Sequence, residues 1–275
     1  GKSYWFKYTG IIGYENDTLT IAPTGNIIKD SSVTINLYAG WNQIGNPFYY
    51  YINWDSCLIN NLSPAQAEAQ NIIQNAFYWF SRQDNGKYGY IRTPDIASGI
   101  NGFLKPYFGG WIFAKQNCYL TYNGTPSIPD DLFLQTAPSK LSPKRANQNA
   151  WFLTLNCSTD KSFDGQNHIG VSENAVDAED NNDKLKAPGI AGYAELILTG
   201  INGTKRYSTD FRKPFENYRI WDVSVSTDLR EEKITINWNN ISNLPENFIA
   251  YLEDCSSGKL IDMKINSEYS FISDI

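Results

Sequence analysis

Gly40-Trp41-Asn42-Gln43-Ile44-Gly45-Asn46-Pro47-Phe48, followed at once by Tyr49-Tyr50-Tyr51 and Trp54, is the stretch from which the rest of this chain can be read. A large aromatic set between turn formers, an Asn-Pro step and an aromatic run describe tight β turns and not a helix. On its N-terminal side, Leu19-Thr20-Ile21 and Val33-Thr34-Ile35-Asn36-Leu37 alternate as half-buried strands do. On its C-terminal side, Phe77-Tyr78-Trp79-Phe80 and Tyr88-Gly89-Tyr90-Ile91 flank Asn85-Gly86, a hairpin signal because both turn residues tolerate positive φ. Leu104-Lys105-Pro106-Tyr107-Phe108 leads into Gly109-Gly110-Trp111-Ile112-Phe113, and a related aromatic string, Gly1-Lys2-Ser3-Tyr4-Trp5-Phe6-Lys7-Tyr8, opens the chain as a further strand. One helix signal interrupts the strands. Ser63 is an N-cap, Pro64 stands at the first helical position and Gln66 completes a capping box, which predicts a short helix over 64–74.

Composition sets the limits. At 275 residues the chain is long enough for two domains of ordinary size, each able to bury a core without metal or disulfide staples. Its 8 Trp and 18 Tyr exceed what core packing requires, so some rings belong on the surface. Residues 1–127 carry 8 basic and 7 acidic side chains and residues 149–275 carry 12 and 20, so neither half offers a basic stripe to a phosphate backbone. Nucleic acid is excluded as a partner on that ground. No uninterrupted apolar run approaches the ~18 residues of a membrane span.

After this aromatic-rich β module, over 1–125, prolines at 126, 129, 138 and 143 mark a semi-rigid linker over 126–149. Strand signals resume from 150 to 275, at Trp151–Leu155, Tyr193–Leu198, Ile220–Val225, Ile234–Trp238, Phe248–Leu252 and Tyr269–Phe271. Short alternating strands without a helical period describe a β-sandwich, Ig-like or jelly-roll, and the chain as a whole reads as all-β.

The opening Tyr-Trp-Phe-Lys string, the central Gly-Trp-Asn-Gln-Ile-Gly and the closing Pro-x-x-Gly-Gly-Trp-Ile resemble the small β modules near the C-terminus of large secreted bacterial proteins of the type IX export kind. The ending, Tyr251-Leu252-Glu253-Asp254 through Tyr269-Ser270-Phe271, resembles the sandwich of the same proteins. The resemblance implies an extracellular or cell-surface setting, covalent membership of a larger chain, and no catalysis.

Two site classes follow from the residues. Sugar binding needs flat apolar rings open to solvent with polar groups at their edges. Trp41, Tyr49, Tyr51 and Trp54, with Trp79, Tyr88 and Tyr90, are the candidate platform for a polysaccharide or glycan, and core packing is the competing role for each ring. The second class is a Ca²⁺ site. Carboxylates crowd between Asp160 and Asp183, and Asp164, Asp177, Asp180 and Asp183 are the candidate oxygen ligands, a solvated acidic loop being the alternative. Catalysis has no motif to stand on: His168 is the sole histidine, and no nucleophile elbow, zinc-binding or phosphate-cradling pattern occurs. Of the three pairings open to Cys57, Cys118, Cys157 and Cys255, only 57–118 with 157–255 stays within the proposed domains, and free thiols are the alternative. The expected function is therefore non-catalytic glycan binding through exposed aromatics, the alternative a structural spacer or export-linked tail with no ligand of its own.

Overall fold

The computed structural model of the chain describes residues 32–82, 87–95, 102–106, 108–124, 126, 149–200, 203, 205–215 and 217–273. The fold is all-β with one short α-helix. The strand readings at 1–8 and 19–21, the Asn85-Gly86 turn and nearly all of the 126–149 connector lie outside the described residues.

Strands β1 (Ser32–Leu37) to β9 (Cys118–Asn123) build the first half. Gly40–Gly45 is itself a strand, β2, and the turn expected there begins one residue later. Buried Asn46 holds that turn: its Oδ1 accepts from the Phe48 backbone at 2.9 Å, and its Nδ2 donates to the carbonyls of Tyr50 at 2.8 Å and Leu104 at 3.0 Å. The helix α1 (Pro64–Ala69) carries the expected capping box but stops five residues early. Asn71 turns the chain at φ 58, and Ile72 and Ile73 leave for the core.

A four-stranded antiparallel sheet runs β2, β8 (Gly109–Ala114), β5 (Ile73–Arg82), β6 (Tyr88–Thr93). Side chains alternate between its faces. One face carries Ile44, Ile112, Ala114, Phe77 and Trp79, which join Trp54, Leu120 and Tyr122 from neighbouring elements in the first core. Each such fully buried apolar side chain contributes roughly 1.5–3 kcal/mol. The register places Trp41 beside Phe113, Tyr78 beside both Trp111 and Arg92, and Tyr90 beside Phe80 on the opposite face. Gly110 is a glycine because a Cβ there would strike the Tyr78 carbonyl and the Phe77 ring.

The second half is one curled, half-barrel sheet, β15-β13-β14-β11-β10-β16-β19, with the short β12 paired to β14. Its strands are β10 (Trp151–Ser158), β11 (Phe163–Val171), β12 (Lys184–Leu185), β13 (Ala194–Thr199), β14 (Arg206–Arg212), β15 (Asp222–Thr227), β16 (Lys233–Asn239) and β19 (Glu268–Ile272). Pairing is antiparallel except between β11 and β14. A hairpin of β17 (Tyr251–Asp254) and β18 (Lys259–Asp262) sends Leu252 and Ile261 into the second core, with Trp151, Leu153, Leu155, Leu196 and Trp238. The strand expected over 248–252 starts at Tyr251 because Phe248 closes a turn on Pro245 and sets its ring 6.2 Å from Trp151. No described strand of either half joins a sheet of the other. No helix among the described residues is long and apolar enough to cross a membrane.

Candidate functional site

The expected platform does not assemble in the open. Trp54 is 0% and Trp79 6% exposed, which corrects the expectation for both. Trp54 donates its indole N–H to Asn75 at 2.7 Å, and Trp79 lies under the Lys105 ammonium, 4.5 Å from the ring centre. Trp41 is half-buried, edge-on to Tyr78 at 5.5 Å and to Phe113 at 5.2 Å, and packs against the second core. Tyr90 is half-buried and donates its hydroxyl to the Pro188 carbonyl at 2.6 Å. Tyr51 is half-buried, while Tyr49 is 67% exposed beside Tyr50, whose ring stacks on Phe48. Tyr88 begins β6, and its side chain lies outside what is described.

The acidic stretch likewise departs from the expected loop. Its first part, including Asp164, is strand β11. Asp164 takes the Lys186 ammonium on both oxygens at 2.6 Å and the Leu196 backbone N–H at 2.7 Å. Asp177 pairs with Lys213 and Arg219, and Asp180 accepts the backbone N–H groups of Val176 and Asn182. Asp183 accepts from the Phe211 and Asp180 backbones, each at 3.0 Å. The four carboxylates thus answer to four different sets of donors. Among the described residues no three His, Cys, Asp or Glu side chains gather as a metal site.

What the stretch does build is a strap. From Asn181 to Pro188 the chain crosses the outward face of the β2-β8-β5-β6 sheet and is bonded at several points to that sheet, to α1 and to Lys115. The Lys184 ammonium reaches Glu68 at 2.7 Å, and Lys115 reaches Asn181 at 3.2 Å. Gln74, buried on β5, donates to the Asp183 carbonyl at 3.1 Å and accepts the Leu185 N–H at 3.2 Å. Tyr78 donates to the Leu185 carbonyl at 2.7 Å, and its ring packs with Ala76 and Ala187. Burial lifts the Tyr78 phenol above its ordinary range. It also lifts Asp183 to about 7, outweighing the two backbone donors.

A second attachment lies at the end of β6. Gly89 passes so close to the Phe163 carbonyl that any Cβ would overlap it. Gln166 on β11 accepts the Arg92 N–H at 2.5 Å and donates to the Arg92 carbonyl at 3.1 Å. Each half therefore lends one glutamine that brackets a backbone segment of the other. The Arg92 guanidinium donates to Ser208 and Thr209, both at 2.7 Å, and to Asp95 at 2.6 Å. Asp95 lies 2.9 Å from His168 Nε2, whose Nδ1 lies 3.1 Å from Thr154 Oγ1. Burial would raise Asp95, but the His168 hydrogen bond and the Arg92 charge win and hold it well below the usual carboxylate range. Burial depresses His168. A carboxylate at Nε2 fixes the neutral tautomer with its proton there, so the Thr154 hydroxyl donates to Nδ1.

Asp95, His168 and Thr154 are the residue types of a nucleophile relay, yet His168 is 0% and Thr154 8% exposed, and a nucleophile needs an open face. On another side of Arg92, between Tyr78, Tyr90, Asp164, Gln166 and Lys186, is a cavity of about 20 Å³, room for one water and not for a substrate, and none of the three lines it. Of the two readings of the cysteines the structure has the free thiols: all four are unbridged, three of them buried, and burial pushes Cys57 and Cys157 each up to about 12.

No family model, curated protein or solved structure matches this chain.

Proposed function

We propose that the chain is a non-catalytic structural unit of a larger extracellular protein, a spacer whose two β halves are fixed against each other as one body. The observation that carries this reading is the aromatic face of the β2-β8-β5-β6 sheet. Tyr78 on that face is 3% exposed, and Trp41, Trp111 and Tyr90 pack around it and around Ala187 of the strap. Rings that would have to lie open to a sugar are the surface on which the second half sits. The extracellular setting and the larger chain rest on the resemblance of the Gly-Trp-Asn-Gln-Ile-Gly and Gly-Gly-Trp-Ile motifs to those of exported bacterial modules.

Two measurements test the reading together. In a pull-down on insoluble cellulose, xylan, chitin and mannan the chain should stay in solution. In scanning calorimetry it should unfold in one transition with matching calorimetric and van't Hoff enthalpies. Two resolved transitions would end the single-body reading. Retention on one polymer would return the chain to glycan binding, with Tyr49, the exposed ring, as the first to remove.

A further inference from the structure

The junction holds three cations, Arg92, Lys186 and the half-exposed Arg206, paired with three buried carboxylates, Asp95, Asp164 and Glu195. Its charge is balanced only while His168 is neutral. The groups facing that ring are Arg92 and Asp95 from the end of β6, with Lys186 following β12. Thr154 and Phe152 of β10 and Thr209 of β14 contribute no charge. Both ring nitrogens are already committed, Nε2 to Asp95 and Nδ1 to Thr154, and Thr154 Oγ1 also receives the Asn240 amide at 3.5 Å.

We propose that the end of β6 is an acid-released latch: protonation of His168 detaches Arg92 and Asp95 from the second half while the strap stays in place.

The step is a proton transfer from solvent to Nδ1. The proton displaces the Thr154 hydroxyl as donor and turns the balanced cluster into one with an excess buried positive charge. An uncompensated buried charge is among the most costly arrangements in a protein interior, and contact with water relieves it. The shortest way to water is through the junction. On its far side His168 is backed by its own sheet, whereas Asp95 belongs to the first half, and the small cavity already lies beside Arg92. Burial and the charges of Arg92 and Lys186 depress the basicity of His168 and act in the same direction, outweighing the Asp95 carboxylate, which favours the charged ring. The strap responds oppositely. Its buried carboxyl, Asp183, is neutralised by the same acidification, so the two attachments separate in their response.

Because His168 is the sole histidine, its titration can be followed in the unaltered chain. The experiment records the ring ¹H–¹³C signal by NMR between pH 7.5 and 5, together with amide hydrogen exchange corrected for intrinsic rates. The Arg92 amide, bonded to Gln166, should lose roughly tenfold or more of its protection as the ring signal titrates, while the Leu185 amide, bonded to Gln74, keeps its own. Three results would each overturn the latch. The ring titrates and Arg92 stays protected; Arg92 opens while the ring is still neutral; or the ring stays neutral until the whole chain unfolds.

Discussion

The two attachments between the halves use opposite chemistry. At the strap, neutral side chains of the first half, Gln74, Tyr78 and Tyr90, bond to backbone groups of the second, and the one ion pair, Lys184 with Glu68, is partly open to solvent. At the end of β6 the Arg92–Asp95 ion pair of the first half is buried and bonds across to the neutral His168 ring and to the Ser208 and Thr209 hydroxyls of the second. Neutral bonds to backbone contribute about 1 kcal/mol each, and the loss of one strands no charge. A buried ion cluster behaves as a unit, since removing one member strands another. The strap should therefore weaken by degrees and the β6 end should fail at once.

The sharpest way to break this contrast is Arg92→Ala. It removes the guanidinium that balances the buried Asp95 carboxylate, and should cost about 3–5 kcal/mol in denaturant unfolding. The double variant Arg92→Met with Asp95→Asn, which removes both charges, should recover a large part of that loss. If the single and double variants are equally unstable, the cluster does not act as a unit. Next in size is Trp41→Ala. The ring lies between Tyr78 and Phe113 at the junction, and its removal should cost about 2–3 kcal/mol, less than a fully buried tryptophan would. It should leave retention on polysaccharides at the level of the parent chain. Lost retention with unchanged stability would put the ring back on a sugar site.

The sequence made the sheet halves legible and the junction between them largely invisible. Alternation and capping found α1 and the strands from Val33 to Phe271 because those elements bury one apolar face each. Strand β11 escaped because its inward and outward positions include Asp164, Gln166, Asn167 and His168, a polar string that reads as a solvated loop. These side chains, buried but for the half-buried Gln166, bond to partners from distant parts of the chain, Lys186, Arg92 and Asp95, and local pattern carries no record of such pairing. The one available signal was His168 itself, a lone histidine within an acidic run. Gln74 and Gln166 gave none, since a glutamine that brackets backbone looks like any surface glutamine. The aromatic excess divides: Tyr38, Tyr49, Tyr218 and Tyr251 lie at the surface, as the composition predicts, while Trp41, Tyr78, Tyr90 and Trp111 are covered by a second folded surface that composition does not reveal.

Asp183 sharpens the comparison through pH. Its folded value, about 7, lies above that of an unfolded aspartate, so the native state keeps a proton that the unfolded state has released. The stability this group contributes is full below about pH 4 and is lost as pH rises to 7. Relative to Asp183→Asn, the parent chain should lose about 1.4 kcal/mol for each pH unit within that window. A difference that grows in the other direction would mean that the Phe211 and Asp180 N–H donors, and not burial, govern the carboxyl.

The smallest effect expected is the most specific. Tyr78→Phe keeps the ring against Ala76 and Ala187 and deletes only the hydroxyl that donates to Leu185. That carbonyl is not stranded, because the Ser208 hydroxyl also reaches it at 3.4 Å, so the loss should stay near 1 kcal/mol. The phenylalanine leaves no donor unpaired, and the glutamine clamp at Gln74 remains. A loss of 3 kcal/mol or more would mean that the strap, too, is cooperative, and the contrast between the two attachments would disappear. A loss near 1, set beside the collapse expected of Arg92→Ala, would establish that this junction is held by additive bonds at one end and by a single charge cluster at the other.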